Sequence, residues 1–379
     1  MISWKQALLE AWRHTVANPS VASVLLVAGL IYSFYYPVTY AHQVASALPV
    51  VIVDLDHSAL SRDIVRSAAA VRGIDIVDMP LGLPVAQQQI ERGIANAILV
   101  IPAQLEQRVL MQKRTDLTLY GNGSNLVRNS AVLGSLAEVS LDAVKRLGLR
   151  KAQAAGIAAV PLVRQAQTVQ MVSRPLFNTR NGYGSYAVPA VSILIIHQVL
   201  MIGSALVICG VGRKQLWLAR QTTAHAALFG LSGCFFVAWY CGFVFWLQDY
   251  PRGGNGPGLL LAGPLFIAAT VAFAMLIGTL FTNMTRALQL LTCSSVPFFF
   301  LTGVSWPLPM FPLPLLWLGR LIPVVPGVQA MIKLNQMGAT LAETSPELCN
   351  LATQALIYGA LVYWRLNRQA HHHAPSVLG

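Results

Sequence analysis

Six apolar stretches, none containing an Asp, Glu, Lys or Arg, constrain this chain more than anything else in it. They run over residues 21–38, 187–211, 224–247, 259–281, 287–304 and 348–364. A helix crossing a bilayer needs roughly 17–25 mostly apolar residues. Inside lipid the backbone must satisfy its own polar groups, which a helix does and a loop does not. The expected fold is therefore a mainly α-helical polytopic membrane protein, with six transmembrane helices and an α/β extracytoplasmic domain inserted after the first. Composition agrees: 55% of residues are hydrophobic and 11% charged, where soluble globular chains average about 25% charged. Soluble-enzyme and disordered readings fall away, and no clustered basic surface suggests nucleic-acid binding. The stretch at 348–364 is the weakest of the six.

The short loops set orientation. Arg213, Lys214 and Arg220 lie between the second and third stretches, Arg286 between the fourth and fifth, and Arg365 and Arg368 after the last. The opposite side carries Asp249 and Arg252, then Arg320, Lys333, Glu343 and Glu347. Basic loops stay in the cytoplasm, so both termini are expected inside. Ahead of the first span (20–40), residues 1–19 place Trp4, Ala7, Leu8, Ala11, Trp12, Thr15 and Val16 at helical spacing among Lys5, Gln6, Glu10 and Arg13. That pattern predicts an amphipathic helix lying in the membrane interface, broken at Asn18-Pro19. Ala45-Ser46-Ala47 has the small residues of a leader-cleavage site. It lies well beyond the apolar run, and a retained anchor is expected.

Residues 41–186 change character, holding 15 of the 26 basic and 10 of the 14 acidic residues. Strands are expected at 50–54, 74–79, 95–101 and 117–120, and helices at 58–71, 85–93 and 103–112. A long helical region at 125–159 follows, with kinks at Gly134 and Gly148. Strand–helix alternation predicts an α/β unit. The string Asp54-Leu-Asp56 at the end of its first strand has the look of a phosphatase nucleophile and acid/base pair. The second acidic pair that such a site needs is missing, and a turn and cap are the better expectation.

The membrane part, 187–368, offers only His197, Gln198, Gln289, Gln354 and scattered hydroxyls as polar groups in its spans. Ion-coupled carriers place ionisable residues there to bind the coupling ion; His197 is expected to hydrogen-bond between helices instead. Gly210-Val-Gly212-Arg-Lys214 lacks the spacing and hydroxyl of a Walker A loop, so ATP, if used, is bound elsewhere. Segment 305–330 is apolar yet broken by Pro307, Pro309, Pro312, Pro314, Pro323 and Pro326. Re-entrant or interfacial helices forming an external gate are expected there, with Trp306, Pro307, Pro309, Pro323 and Pro326 as its residues. Residues 369–379, with His371-His372-His373, read as a solvated cytoplasmic tail.

Several strings share an order and spacing: Ile31-Tyr-Ser-Phe-Tyr-Tyr-Pro37, Val53-Asp-Leu-Asp56-His-Ser58-Ala-Leu-Ser61-Arg62, Ala97-Ile-Leu-Val-Ile-Pro102 and Leu119-Tyr-Gly-Asn-Gly-Ser-Asn125. Leu176-Phe177-Asn178, Tyr186-Ala-Val-Pro189, Leu301-Thr-Gly-Val-Ser-Trp-Pro307 and Ile322-Pro323 with Pro326-Gly327 follow. Together the chain resembles the type-2 ABC transporter permease family, in its bacterial exporter subgroup with a large extracytoplasmic domain. The resemblance implies a non-enzymatic transport subunit of the bacterial inner membrane. It binds no cofactor itself; ATP and Mg²⁺ sit on a separate ATP-binding cassette subunit.

It also implies a second permease protomer, identical or not, and in some relatives a periplasmic adaptor and an outer-membrane channel. The cargo is a hydrophobic or amphipathic compound such as a drug, lipid or glycan. ATPase-coupling residues carried over by the resemblance are Trp4, Leu8, Trp12 and Arg13 in the interfacial helix, with Arg213, Lys214, Trp217 and Arg220 after the second span. The rival expectation is a membrane-anchored envelope protein whose external domain binds a ligand or partner. Five uncharged spans beyond the anchor are more than such a protein needs.

Overall fold

The computed structural model describes residues 3–40, 48–71, 73–111, 113, 115–121, 126–154, 182–211 and 219–372. Ala45-Ser46-Ala47 and the end of the tail lie outside the described residues. The chain divides into two compact units, Met1–Gln43 with Pro175–Gly379, and Val44–Arg174.

The larger unit is helical. It begins with α1 (Trp4–Ala17) and α2 (Pro19–Thr39). The joint between them is Asn18, whose side chain accepts from the amides of Ser20 and Val21 and so caps α2, with Pro19 in the first helical position. After the smaller unit come α7 (Tyr183–Val211), α8 (Arg220–Leu247) and α9 (Gly256–Gly278). Then follow α10 (Met284–Cys293), α11 (Ser295–Leu301), α12 (Leu313–Gly319), α13 (Val324–Asn335) and α14 (Ser345–His372). The buried side of α7 packs against α2, α8, α9 and α13 in one apolar core that includes Leu200, Phe229, Phe266 and Val328.

Of the six expected spans, four are shown among the described residues. Helices α2, α7, α8 and α9 are long and apolar enough to cross a membrane; α12 and α13, bent by 80° at their junction, make a fifth if counted as one span. The stretch at 287–304 is split between α10 and α11. Ser294 and Ser295 turn their hydroxyls back onto the carbonyls of Leu291 and Thr292, at 2.6 and 2.8 Å. Pro297 has no amide to give the preceding turn. The stretch at 348–364 does form one helix, the 28-residue α14. Asn350, Thr353 and Gln354 dilute its first half and Arg365 and Arg368 follow it, which keeps it out of the apolar set.

The smaller unit carries β1 (Leu48–Asp54), α3 (Ala59–Ala69), β2 (Ile74–Asp78), α4 (Leu83–Glu91), β3 (Ala97–Ile101), α5 (Leu105–Leu110), β4 (Thr118–Gly121) and α6 (Leu126–Ala154). Its sheet runs β2-β1-β3-β4; β1 is parallel to β2 and β3, and β4 is antiparallel to β3. Val50 and Ile52 face a core shared with Leu60 and Ile64 of α3 and Leu136 of α6. Val51 and Val53 face Ala86 of α4. A strand covered on both sides reads as a continuous β-branched run, which is why β1 was legible. Helix α6 runs as one helix from Leu126 to Ala154 through Gly134 and Gly148.

Candidate functional site

Helix α1 starts with a reciprocal cap: the Ser3 hydroxyl accepts from the Gln6 amide at 3.3 Å, and the Gln6 side chain accepts from the Ser3 amide at 2.9 Å. Its apolar stripe divides in two. Ala7, Ala11 and Thr15 are buried, and the two alanines pack with Ala224 of α8. Small side chains let the two backbones come close. Trp4, Leu8, Trp12 and Val16, the neighbouring stripe, are all exposed. Arg13 is exposed as well and, two residues beyond Ala11 in the helical sequence, sits on neither apolar stripe.

Polar contacts lock α1 to α8. The Gln221 amide donates to the Glu10 carboxylate at 3.1 Å. The Arg220 guanidinium lies 5.5 Å from the centre of the Trp4 ring. The rings of His14 and His225 face each other at 5.9 Å. Of the eight expected coupling residues, the structure brings Trp4 and Arg220 together and places Leu8, Trp12 and Arg13 on the same helix. Arg213, Lys214 and Trp217 lie outside the described residues. The contacts of Glu10 with Gln221 and of His14 with His225 were not legible, because the pairing of α1 with α8 brings together residues more than 200 positions apart.

At the other end of the helical unit, Gly303 adopts φ 82° to turn the chain out of α11, conformational freedom that glycine supplies. Trp306, Pro307 and Pro309 are exposed, whereas Pro323 and Pro326 are buried. The latter two occupy the start of α13, where a missing amide costs no helical hydrogen bond. Of the five expected gate residues, three are thus exposed and two buried.

The 80° bend between α12 and α13 leaves carbonyls at Arg320 and Leu321 without helical partners. Helix α14 satisfies both: the Gln354 amide donates to Arg320 O at 2.7 Å and the Tyr358 hydroxyl to Leu321 O at 2.6 Å. The Gln329 amide donates to Thr302 O at 2.6 Å, the Tyr186 hydroxyl donates to Val304 O, and Lys333 pairs with Glu347 at 2.6 Å. A chain of tyrosines flanks this end, with ring centres of Tyr36–Tyr40, Tyr40–Tyr183 and Tyr183–Tyr186 at 5.2, 5.6 and 6.3 Å. Nearby Tyr250 is pushed up to about 12 by burial and by Tyr40, so its hydroxyl stays neutral.

Two further expectations meet different outcomes. His197 does not hydrogen-bond between helices: neither ring nitrogen has a partner among the described residues. It is fully buried, with Phe266, Phe273 and Phe298 ring centres at 6.4, 6.4 and 5.8 Å; aromatic neighbours offer it no acceptor in the ring plane. Asp54 and Asp56, by contrast, act as turn and cap. Asp54 accepts from the amides of Asp56 and His57, both at 3.0 Å. Asp56 accepts from the Glu106 amide at 3.1 Å, and Glu106 in turn caps α3 through Ala59 and Leu60. Both carboxylates are thus engaged in holding β1, α3 and α5 together.

Helices with uncharged interiors, an amphipathic helix docked on one of them, and a proline-broken bent pair are the parts expected of a permease. No curated protein matches the chain. A family model described as ABC-2 family transporter protein matches residues 20–364, nearly the whole sequence, and the chain belongs to that family of transporter membrane proteins.

Proposed function

We propose that this ABC-2 permease subunit serves an exporter, moving a hydrophobic or amphipathic compound (a drug, lipid or glycan-like molecule) out of the cytoplasm or inner membrane of a bacterium. The chain is a transport subunit without an ATPase domain, and membership of the family implies an ATP-binding cassette partner. The observation that carries the reading is the charge pattern of the four spanning helices. Apart from Arg220, the first residue of α8, they contain no Asp, Glu, Lys or Arg. A pathway so lined suits amphipathic cargo, and the driving energy has to come from outside the bilayer.

In this reading α10–α11 and α14 complete six spans, both termini are cytoplasmic, and the unit at 44–174 lies outside. Two protomers, identical or different, pair with two ATP-binding subunits, with a periplasmic adaptor and outer-membrane channel as further partners. The polar side of α1 around Arg13 and the segment 213–220 with Arg213, Lys214 and Trp217 meet the ATPase; the exposed Trp4, Leu8 and Trp12 hold α1 at the headgroup level. The bent pair with Trp306, Pro307, Pro309, Pro323 and Pro326 closes the outer end.

Arg213→Glu with Lys214→Glu tests the coupling assignment. Transport should fall while the permease still folds and inserts, and full transport by the double variant would overturn it. In a variant whose five native cysteines are replaced by serine, single cysteines at positions 252 and 343 should react with an impermeant thiol reagent from the periplasmic side, and one at 286 only after permeabilisation. Any other labelling pattern contradicts the six-span arrangement.

A further inference from the structure

A cavity of about 530 Å³ opens where the joint between α1 and α2 meets the last turns of α7 and the first turn of α10. Drug-sized ligands occupy cavities of this size. One wall is apolar, made by Leu206, Val207 and Leu288. The rim is polar and carries His14, Asn18 and Thr285.

The rim holds polar atoms whose hydrogen-bonding capacity is not fully used. The Nδ1 atom of His14 is buried and has no hydrogen-bond partner among the described residues. Asn18 spends its carbonyl oxygen on the amides of Ser20 and Val21, at 3.1 and 3.3 Å. Among the described residues its NH₂ group meets the Met284 sulfur at 4.0 Å, a weak acceptor. Buried polar groups normally find partners, so a polar rim that carries the Asn18 NH₂ group over an apolar slot suits a ligand with acceptors above an alkyl chain.

We propose that this cavity binds one chain of an amphiphile whose head is rich in hydrogen-bond acceptors, with its tail along Leu206, Val207 and Leu288 and its head against His14, Asn18 and Thr285. The inference rests on the permease reading for its placement at the cytoplasmic level of the bilayer, where Asn18 separates the interfacial helix from the first span. A phospholipid of the inner leaflet and an amphiphilic cargo share this chemistry.

The test is native mass spectrometry of the full-length permease purified with its ATP-binding partner, together with a thermal-shift titration using lysophosphatidylcholine. Leu288→Trp fills the slot, and Val207→Phe does so independently should the first variant fold poorly. Gly230→Trp, in a separate groove between α8, α9 and α14, is the control. Wild type and Gly230→Trp should carry a bound amphiphile and show the shift; the two slot variants should bind the lysolipid about tenfold more weakly or worse, the loss expected when only a few methylenes are displaced.

The mass of the retained molecule separates the sources: a membrane phospholipid marks a structural lipid, another amphiphile marks cargo. Equal binding in wild type and both slot variants, or no bound amphiphile in wild type, would overturn the site. Retention of the ATP-binding partner is read in the same spectra, so loss of the ligand and failure of the permease reading are told apart.

Discussion

At the residue scale, His197 is the clearest case of a polar group whose surroundings do not use it. An unpaired buried donor or acceptor costs about 1–3 kcal/mol, so His197→Leu, which keeps most of the volume, should leave stability equal or raise it by about 1 kcal/mol. His197→Ala adds a void among Phe266, Phe273 and Phe298 and should destabilise by about 2–5 kcal/mol. Thermal unfolding in detergent reads both, and a clear loss of stability in His197→Leu would show that the ring is bonded after all. Gly327 poses the opposite problem. A methyl there would overlap the Phe266 ring, and Gly327→Ala should cost about 1–3 kcal/mol through overpacking. Phe266→Leu in the same chain should recover part of that; no recovery would place the strain elsewhere.

Elements show where sequence pattern carries information and where it stops. Strand β1 was legible because a β-branched run buried on both faces has no other home, and α3 because Ser58 sits at its N-cap, its hydroxyl accepting from the Ser61 amide at 3.1 Å. Helix α1 was legible as amphipathic, yet its stripe could not be divided in advance: Ala11 and Trp12 look equally apolar until α8 takes one and leaves the other. Ala11→Leu should therefore separate α1 from α8 at a cost of about 1–3 kcal/mol, while Trp12→Ala should leave the fold intact and weaken only membrane association. Equal destabilisation by the two would contradict the two-stripe arrangement.

The break at Ser294 and Pro297 was visible as residues but not as an event, since serine hydroxyls sit in many unbroken helices. Likewise Gln354 was seen only as a polar group in a span. Its partner is a carbonyl freed by a bend 34 positions earlier. Gln354→Leu and Tyr358→Phe should each raise amide exchange across residues 313–335 by freeing one end of the bend. Exchange unchanged in the double variant would mean that the bend holds itself.

For the whole molecule, the charge pattern decided more than any motif. Segregation of 15 basic and 10 acidic residues into 41–186 announced a water-facing unit, and the structure has a compact unit at Val44–Arg174. The empty interiors of the spans pointed to an outside energy source, and the family match places that source on a cassette partner. The number of spans was less secure in sequence because the apolar runs at 287–304 and 348–364 are shorter than that of α7, one broken by Ser294, Ser295 and Pro297 and the other diluted by Asn350, Thr353 and Gln354.

The central claim, a permease driven by a separate ATPase, is tested most directly by extracting the protein from its native membrane in mild detergent, identifying what co-purifies and assaying ATP hydrolysis. The expected result is one ATP-binding subunit for each permease chain and hydrolysis that depends on the assembled complex. A stable permease that purifies with no ATP-binding subunit and supports no hydrolysis would contradict it.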